Sequence, residues 1–397
     1  MSISAPPRSD IDLFSDETLY DPYPAYAQLR ELGPAVYMTT VDAWAIPRYD
    51  EVRAALGDWE LHASHNGVAL NPQMNDMLKT SILCSVPPGH EAMRAPLSGA
   101  MSPKALRGLG PEVRRRAEEL TGRLVARGSF DAVGDLAKPF PVGVIMDMIG
   151  FPGDHRDDIL QWADAGFQAT GPANARCTAG FPALQQMFEY LVTLTEDDFQ
   201  PGQMGRAMFD AARRGELPHG DVIPLLWNFT GPAMDTTISA IGHAIWRFAQ
   251  EPQQWQDVRH DRSLILPAVL EVLRMDAPIQ LFSRELSQAA MIGDAAVPAG
   301  GRTIMMYGSA NRDHRHFPDP DRFDVHRNPV DHLSFGYGLH GCVGQGLARL
   351  EITSILDALA DRVARFDVDA EHLVRPRRHM NNLIRSIESL PVTVEAA

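Results

Sequence analysis

The residue best suited to chemistry is Cys342, which stands in the glycine-rich segment HLSFGYGLHGCVGQGLARLE (332–351). Glycines surround it at positions 336, 338, 341 and 344. They permit positive φ and the close approach of a flat ligand, because no Cβ is in the way. A helical pattern follows, in which Ile352 and Ile355 begin a buried face. Since a helix N-terminus stabilises a thiolate, the pattern predicts a metal-ligating cysteine; an inert buried cysteine in a turn is the alternative.

A second pair of reactive groups, Asp235 and Thr236, lies in GPAMDTT (231–237) at the centre of a segment that is apolar almost all round. Such a segment predicts a long buried helix over about 222–250. Pro232 lacks an N–H and opens a helix, so the carboxyl and hydroxyl groups would lie at a break where protons can be relayed. In the alternative reading, one helix ends at this segment and Asp235 caps the next.

Length and composition limit the protein class. The chain has 397 residues, of which 45% are hydrophobic and 22% charged, as in ordinary globular proteins. Its net charge, 36 − 51 = −15, argues against nucleic acid or anionic lipid as partners. The three cysteines (Cys84, Cys177 and Cys342) are too few and too widely spaced for a disulfide framework. With no signal-peptide pattern and no apolar run of membrane-spanning length, we expect a cytoplasmic protein that does not bind a membrane.

The elements that must position these groups are mostly helices. The segment 111–128 places Val113, Ala117, Leu120 and Leu124 on one helical face. Strand-like pieces are short, such as 295–307, where Gly300 and Gly301 predict a hairpin turn. No internal repeat or linker divides the chain, so we expect one domain over residues 1–397, mainly α with a minor β region.

The cysteine segment matches a known pattern. Phe335, Gly338, Cys342 and Gly344 fit F-x-x-G-x-x-x-C-x-G, and the segment resembles the haem-binding loop of the cytochrome P450 family. This resemblance implies a single P450 domain with a haem-thiolate loop at 335–344, and with the long central helix over haem b. Cys342 would be the axial thiolate, which favours O–O cleavage.

Other segments resemble P450 motifs in the same order. EVLR supplies Glu271 and Arg274, 71 residues before the cysteine, and FPDPDRF supplies Arg322. The resemblance implies that these three form a structural ion network. GPAMDTT resembles (A/G)-G-x-(D/E)-T-T, which implies that Asp235 and Thr236 serve oxygen activation. This chain departs from that pattern at the two usually small positions, which hold Pro and Ala.

The resemblance also implies contacts with the haem. Its propionates are carboxylates, which accept charge-assisted hydrogen bonds from Arg and His. The residues at the positions where the family binds the haem are His90, Arg94, Arg284, His332, Phe335, Gly336, His340 and Gly344.

The reaction implied is insertion of one oxygen atom from O2 into an organic substrate. Electrons would come ultimately from NAD(P)H through a ferredoxin reductase and ferredoxin, docked on a basic patch formed by Arg114, Arg115, Arg116 and Arg349. An ordinary cluster of solvated charges on a helix surface is an equally good interpretation of these arginines. Two other functions stay open: a peroxide-driven peroxygenase, which commonly lacks the acid–alcohol pair, and a non-catalytic haem-based sensor.

Within the family, GSANRD, CVGQGLARLE and NNLIRSIESLPV most resemble bacterial enzymes that oxidise para-substituted benzoic acids, including by O-demethylation. We therefore expect a small aromatic substrate; a terpenoid or biosynthetic intermediate is the alternative. The residues that correspond to the pocket are Ser81, Cys84, Phe167, Thr170, Asn228, Ile279 and Phe282. The arginine that would bind a carboxylate is missing, so the substrate is either a neutral phenol or aldehyde, or a carboxylate held by Lys79.

Overall fold

The computed structural model describes residues 6–397, apart from the side chains of residues 154, 156 and 157. Helices dominate this part of the chain, as predicted. In chain order, the α-helices are α1 (Asp16–Tyr20), α2 (Tyr23–Leu32), α3 (Tyr49–Gly57), α4 (Pro72–Leu78), α5 (Gly89–Ala100), α6 (Pro103–Arg127), α7 (Pro139–Ile149), α8 (Arg156–Thr170), α9 (Ala175–Leu191), α10 (Met204–Arg213), α11 (Val222–Thr230), α12 (Asp235–Gln250), α13 (Pro252–His260), α14 (Ile265–Met275), α15 (Tyr307–Ala310), α16 (Gln345–Arg362) and α17 (Ala370–Val374).

The β region is minor. Its strands are β1 (Arg8–Ser9), β2 (Val36–Met38), β3 (Ala43–Ile46), β4 (His62–Ala63), β5 (Ser129–Asp131), β6 (Phe282–Leu286), β7 (Ala290–Ile292), β8 (Ala295–Val297), β9 (Arg302–Met305), β10 (Val363–Asp367), β11 (Arg377–Met380), β12 (Arg385–Ser389) and β13 (Pro391–Ala396). They form a six-stranded sheet in the order β1-β2-β3-β9-β6-β4, a three-stranded sheet β10-β13-β5, and the pairs β11-β12 and β7-β8. The first sheet is mixed, because β1 runs parallel to β2 and β3 runs parallel to β9.

Two hydrophobic cores organise these elements. The larger one is formed mainly by helices, including α6, α7, α12, α14 and α16. The smaller one lies around the six-stranded sheet with α2 and α3. Within residues 6–397, no helix is both long enough and apolar enough to cross a membrane.

Helix α6 begins earlier than the predicted 111–128. The Ser102 side chain accepts from the Ala105 N–H, and Pro103 takes the first helical position, where its missing N–H costs nothing. Gly128, with φ 75°, ends the helix. Its predicted apolar face packs inward, with Val113 and Ala117 fully buried.

The central segment is two helices rather than one continuous helix. Helix α11 ends at Thr230, a short turn follows, and α12 begins at Asp235. Pro232 cannot donate a helical hydrogen bond, which accounts for the break. Asp235 is the first helical residue, and its side chain does not cap the helix. The prediction of a break at GPAMDTT is confirmed, and the break divides the predicted central segment 222–250 into two helices.

The predicted hairpin at 295–307 is also wrong. Gly300 has φ 75°, and the Gly301 N–H donates to the Pro298 carbonyl, so a turn exists there. The strands on either side of it do not pair, because β8 pairs with β7 while β9 joins β3 and β6 in the large sheet. β8 therefore pairs with the strand just before it, while β9 pairs with strands further away along the chain.

Candidate active site

A cavity lies where the two cores meet. The volume open to the centres of water molecules in this cavity is about 240 Å³. Its lining includes the cysteine loop, with Phe335, Gly336, Cys342, Val343 and Gly344, and the break before α12 with the start of that helix, with Pro232, Ala233, Thr236, Thr237 and Ala240. The two segments that the sequence singled out for chemistry therefore line the same cavity.

The cysteine loop needs glycine at two positions. Gly336 and Gly338 have φ of 68° and 70°, in the left-handed region that other residues rarely adopt. A Cβ on Gly338 would also lie 2.6 Å from the Leu56 carbonyl oxygen of α3. The Cys342 N–H donates to the Phe335 carbonyl at 2.8 Å and closes the loop.

Cys342 precedes α16, whose first turn faces the sulfur. Burial raises the pKa of the Cys342 thiol, while the N–H groups of Gly344 and Gln345 and the charge of Arg94 lower it. Burial has the larger effect, so the expectation that the helix N-terminus alone favours thiolate is not met. These donors still bind and orient the sulfur, and a cationic metal centre would complete the stabilisation of a thiolate.

Cationic and imidazole groups line the cavity beside the same loop. Arg94 donates to the Leu339 and Gly341 carbonyls at 3.4 and 3.0 Å, and Arg284 donates to the Ser283 carbonyl at 2.7 Å. Among the residues that the structure describes, neither arginine has a carboxylate partner within 4 Å. This edge of the cavity therefore has uncompensated positive charge, which an anionic ligand would neutralise.

The histidines at this edge are uncharged. Burial and nearby arginines lower the pKa of His340 to about 3, and burial followed by Arg94 lowers the pKa of His90. His340 Nε2 contacts Ser64 Oγ at 3.0 Å, whereas His90 Nδ1 is buried without a partner. An unpartnered buried nitrogen costs stability until a ligand supplies a hydrogen bond.

His332 lies behind this edge rather than in the cavity wall. It is 6% exposed, and its Nδ1 accepts from the Ser334 N–H at 3.2 Å. Its Nε2 is buried and unpartnered, and burial lowers its pKa to about 3. A neutral His332 therefore has one unused ring nitrogen.

Thr236 and Asp235 differ in where they lie at the helix break. Thr236 lines the cavity, and its hydroxyl donates to the Pro232 carbonyl at 3.1 Å. Asp235 is adjacent but is not part of the cavity wall. Burial, followed by the negative charge of Asp164, raises the pKa of Asp235 to about 8, although His379 and Lys138 act in the opposite direction. The carboxyl is therefore mostly protonated at neutral pH.

Asp164 and its partners were not found from the sequence. Asp164 lies on α8 and receives two hydrogen bonds of 2.6 Å, from His379 Nε2 on β11 and from Asn381 Nδ2. The hydrogen bond to Asp164 raises the pKa of His379, whose side chain is 40% exposed. No local pattern joins residues so far apart in the chain, so only the fold could reveal this cluster.

The structural ion network differs from the prediction in one member. Arg274 forms two hydrogen bonds to Glu271, of 2.7 and 2.8 Å, and both side chains are fully buried. Arg327 provides the second cation, with Nε 3.1 Å from Glu271 Oε1. Arg322 is exposed and contributes only its backbone carbonyl, so its predicted ion pair is wrong.

The substrate end of the cavity contains part of the predicted set. Phe167, Asn228, Ile279 and Phe282 line it. Ser81, Cys84 and Thr170 do not: the first two are 1% and 2% exposed, and the Thr170 hydroxyl donates to the Gly166 carbonyl.

The correction at Ser81 and Cys84 has a local cause. Successive hydrogen bonds from the Ser81 N–H to the Leu78 carbonyl and from the Cys84 N–H to the Ser81 carbonyl turn the chain. Ile82 and Leu83, between them, then face the cavity. The sequence identified the right segment but the wrong side chains.

The proposed basic patch is largely neutralised. Arg115 pairs with Glu112 and Glu119, and Arg116 pairs with Glu112 and Asp147. The pairs with Glu112 and Glu119, at i, i+3 and i, i+4, are ordinary features of a solvated helix, and Asp147 lies on α7.

Comparison with known proteins agrees with this geometry. The family model for cytochrome P450 matches residues 264–394. The cytochrome P450 CYP199A2 of Rhodopseudomonas palustris is 33% identical over 98% of this chain and 95% of its own length. The chain belongs to the cytochrome P450 family. The 6-deoxyerythronolide B hydroxylase of Saccharopolyspora erythraea is 30% identical over 97% of this chain and 98% of its own.

Solved structures share the whole fold of this P450. The cytochrome P450 CYP109Q5 of Chondromyces apiculatus superposes with a TM-score of 0.83 at 29% identity, over 98% of this chain and 99% of that one. The cytochrome P450 CREJ, in complex with (4-ethylphenyl) dihydrogen phosphate, gives 0.87 at 26% identity, over 95% and 98%. The predicted family, the mainly helical fold and the enzyme class are confirmed.

Membership of the P450 family implies haem iron, O2 and reducing equivalents, and the cavity fits that cofactor. Cys342 would provide the sulfur ligand, in a wall where glycines leave the backbone open. Arg94 and Arg284 provide the uncompensated charge that two propionates would match, and His90 Nδ1 is an unused buried nitrogen. The remaining wall is mainly apolar, as a porphyrin face requires.

Proposed function

We propose that this P450 is a haem-thiolate monooxygenase that inserts one oxygen atom from O2 into a small aromatic substrate, by hydroxylation or oxidative O-demethylation. The observation that carries the proposal is that Cys342 and Thr236, which lies at the helix break, line the same cavity. Phe167, Ile279 and Phe282 supply apolar and aromatic surface that excludes water and packs against a ring.

In this proposal haem b is held by Cys342 as the iron ligand and by Arg94, Arg284, His90 and His340 at its propionates. His332 Nε2 would complete the set through a bound water, because it is unpartnered but lies behind the wall. When bound, haem supplies the redox iron that activates O2 with two electrons.

The protein's own contribution at the break between α11 and α12 is the supply of protons. The Asp235 carboxyl holds a proton at neutral pH, and the neighbouring Thr236 hydroxyl is fixed by its bond to the Pro232 carbonyl. His379 is partly exposed and is hydrogen-bonded to Asp164, whose charge acts on Asp235. We therefore infer a proton route from solvent through His379 and Asp164 to Asp235 and Thr236.

Electrons are proposed to come ultimately from NAD(P)H through a ferredoxin reductase and ferredoxin. The P450 fold occupies the described chain, which leaves no region of it for a flavin or an iron–sulfur centre. Because Arg115 and Arg116 are already paired with carboxylates, Arg114 is the exposed member of the proposed basic patch that is left to bind an acidic partner.

The first test concerns the cofactor. The purified, folded protein is reduced and treated with carbon monoxide, and a red-shifted Soret band is expected from thiolate ligation by Cys342. A haem-loaded protein without that band would refute the proposal. Cys342→His is the matched variant, since it can still bind haem but cannot give the thiolate band.

The second test concerns the reaction. We expect fast product formation with ferredoxin, its reductase and NAD(P)H, and slow turnover with hydrogen peroxide alone. Thr236→Ala should uncouple electron consumption from product, by roughly tenfold or more, if the hydroxyl serves proton supply. Thr178→Ala is the control, because that exposed hydroxyl also donates to a carbonyl four residues earlier but lies outside the cavity. Unchanged coupling in Thr236→Ala would show that this role is wrong.

A further inference from the structure

One polar side chain of α11, Asn228, faces the substrate end of the cavity. Its Nδ2 donates to the Pro224 carbonyl one turn earlier, at 2.6 Å. This bond fixes the orientation of the amide, because only the nitrogen can donate to a carbonyl oxygen. Oδ1 accepts no hydrogen bond from the residues that the structure describes, so the free end of the amide is an acceptor.

Among the described residues that line this cavity, the only arginine or lysine side chains are Arg94 and Arg284. Phe229, Phe167, Ile82 and Leu83 add apolar surface to the lining. Lys79, the cation that the sequence offered for a carboxylate, is 60% exposed, pairs with Asp76 at 2.5 Å and does not line the cavity.

Both arginines lie beside the cysteine loop, where each acts on the pKa of His340. Arg94 is bound to the cysteine loop through Leu339 and Gly341, on the side assigned to the propionates. A substrate carboxylate near Asn228 would therefore be buried without a counter-charge and would face the lone pairs of Oδ1.

We propose that Asn228 selects neutral aromatic substrates that carry a hydrogen-bond donor, namely a phenolic hydroxyl or an aromatic amine, and disfavours benzoates, aldehydes and ethers at that position. The donor group of the substrate hydrogen-bonds to Asn228 Oδ1. This inference rests on the proposed monooxygenase function and specifies its substrate class.

The position of Asn228 also bears on substrate size. It lies two residues before the end of α11, and Pro232 follows in the break between α11 and α12. The Pro232 carbonyl accepts a hydrogen bond from the Thr236 hydroxyl, which lines the same cavity as Cys342. A single substituted ring anchored at Asn228 would present its other end to the oxygen-activating region.

The test compares three ligands that share a methoxyphenyl group: 4-methoxyphenol, 1,4-dimethoxybenzene and 4-methoxybenzoate. Haem-loaded protein is titrated with each by the spin-state shift and by calorimetry. We expect 4-methoxyphenol to bind about tenfold more tightly than either of the other two ligands. 1,4-Dimethoxybenzene lacks the hydrogen-bond donor, and 4-methoxybenzoate adds an unpaired charge. Equal affinity of the phenol and the ether, or tighter binding of the benzoate, would overturn the inference.

Two variants separate a hydrogen bond from general packing. Asn228→Leu should bring the phenol-to-ether affinity ratio to within about twofold of unity. Ile279→Ala should weaken both ligands and leave the ratio unchanged. An unchanged ratio in Asn228→Leu would overturn the role of Asn228, and if that variant does not fold, the affinity ratios of the wild-type protein decide.

Failure of the monooxygenase proposal gives a different result. Absence of the carbon monoxide band in the wild-type protein would refute that proposal, while calorimetry would still yield the affinities of the three ligands.

Discussion

Asp235 and Asp276 are both enclosed by protein, but their surroundings set opposite charge states. At the helix break, burial and the negative charge of Asp164 raise the pKa of Asp235 to about 8. At the end of α14, burial also acts on Asp276, but Arg247 and Arg385 hold its pKa well below the usual range. Burial is common to both sites, so the neighbouring charges decide which carboxyl is neutral.

The contacts of the two carboxylates explain their different uses. Asp276 receives Arg247 Nε at 2.6 Å and Arg385 Nη1 at 2.9 Å, and lies 3.7 Å from Arg312 Nη2. A carboxylate fixed by three arginines cannot exchange protons near neutral pH, and it joins distant parts of the chain. Asp235 has no such partner among the described residues, so it can hold and release a proton.

The largest expected effect is loss of stability in Asp276→Asn. The substitution leaves Arg247 and Arg385 buried without their counter-charge, while Arg312 keeps Asp321, and it should lower the free energy of unfolding by about 3–5 kcal/mol. Chemical denaturation at pH 7 measures this. Asp76→Asn, on an exposed ion pair, should change it by less than about 0.5 kcal/mol. Similar values for the two variants would contradict the role of the Asp276 cluster.

The same stabilisation should depend on pH in a defined direction. Folding lowers the pKa of Asp276, so its contribution is present above the unfolded value of about 3.9 and is lost as the pH falls below it. The difference between wild type and Asp276→Asn should therefore shrink at the most acidic pH at which the protein still folds.

Glu271 extends the comparison to a third buried carboxylate. Arg327→Ala removes one of the two cations that pair with Glu271, and it also removes the hydrogen bonds from Arg327 to nearby carbonyls. We therefore expect a loss of about 2–3 kcal/mol in the free energy of unfolding. Arg322→Ala keeps the backbone carbonyl that the network uses and should cost less than about 0.5 kcal/mol. A larger loss at Arg322 would mean that the sequence-based assignment was right.

Asp235→Asn should have the opposite sign to Asp276→Asn. Because folding raises the pKa of Asp235, its penalty is absent below pH 4, grows as the pH rises and is complete above about pH 8. The variant should be more stable than wild type by on the order of 2 kcal/mol at pH 8.5 and equal to it near pH 4. Thermal unfolding at both pH values checks this, and destabilisation of the variant at pH 8.5 would contradict a raised pKa of Asp235.

The smallest effect concerns the charges around Asp235. Asp164→Asn removes a neighbouring negative charge and should lower the pKa of Asp235 by about one unit. His379→Gln removes a positive charge and should move it upward. Both shifts are measured as a displacement of the alkaline limb when the coupling of electron consumption to product formation is plotted against pH. The other nearby charges, Glu388 and Lys138, are the same in both variants. Shifts in the same direction would contradict the proposed route.

The cysteine loop could be predicted from the sequence because its geometry is local. Gly336 and Gly338 adopt the left-handed backbone that their type permits, and Cys342 lies in the loop that α16 follows. The pairing of Glu271 with Arg274 was likewise predictable, since three residues on a helix place both on one face.

The substrate end could not be predicted at the same level. A turn at 78–84 directs Ile82 and Leu83 into the cavity and buries Ser81 and Cys84, although all four are adjacent in the chain. An error of one residue in a turn changes which side chains face the cavity. Similarity between relatives therefore identified the segment, while its backbone hydrogen bonds decided the lining.

The sequence by itself determined the family, the mainly helical fold, the cysteine loop and the break beside Asp235 and Thr236, because each depends on residue types within a few positions of one another. The tertiary structure alone decided that Asp235 faces Asp164 and His379, that Arg327 rather than Arg322 binds Glu271, and that Lys79 points away from the substrate end. Charge state depends on burial and on every charge nearby, and those charges come from elements far apart in the chain.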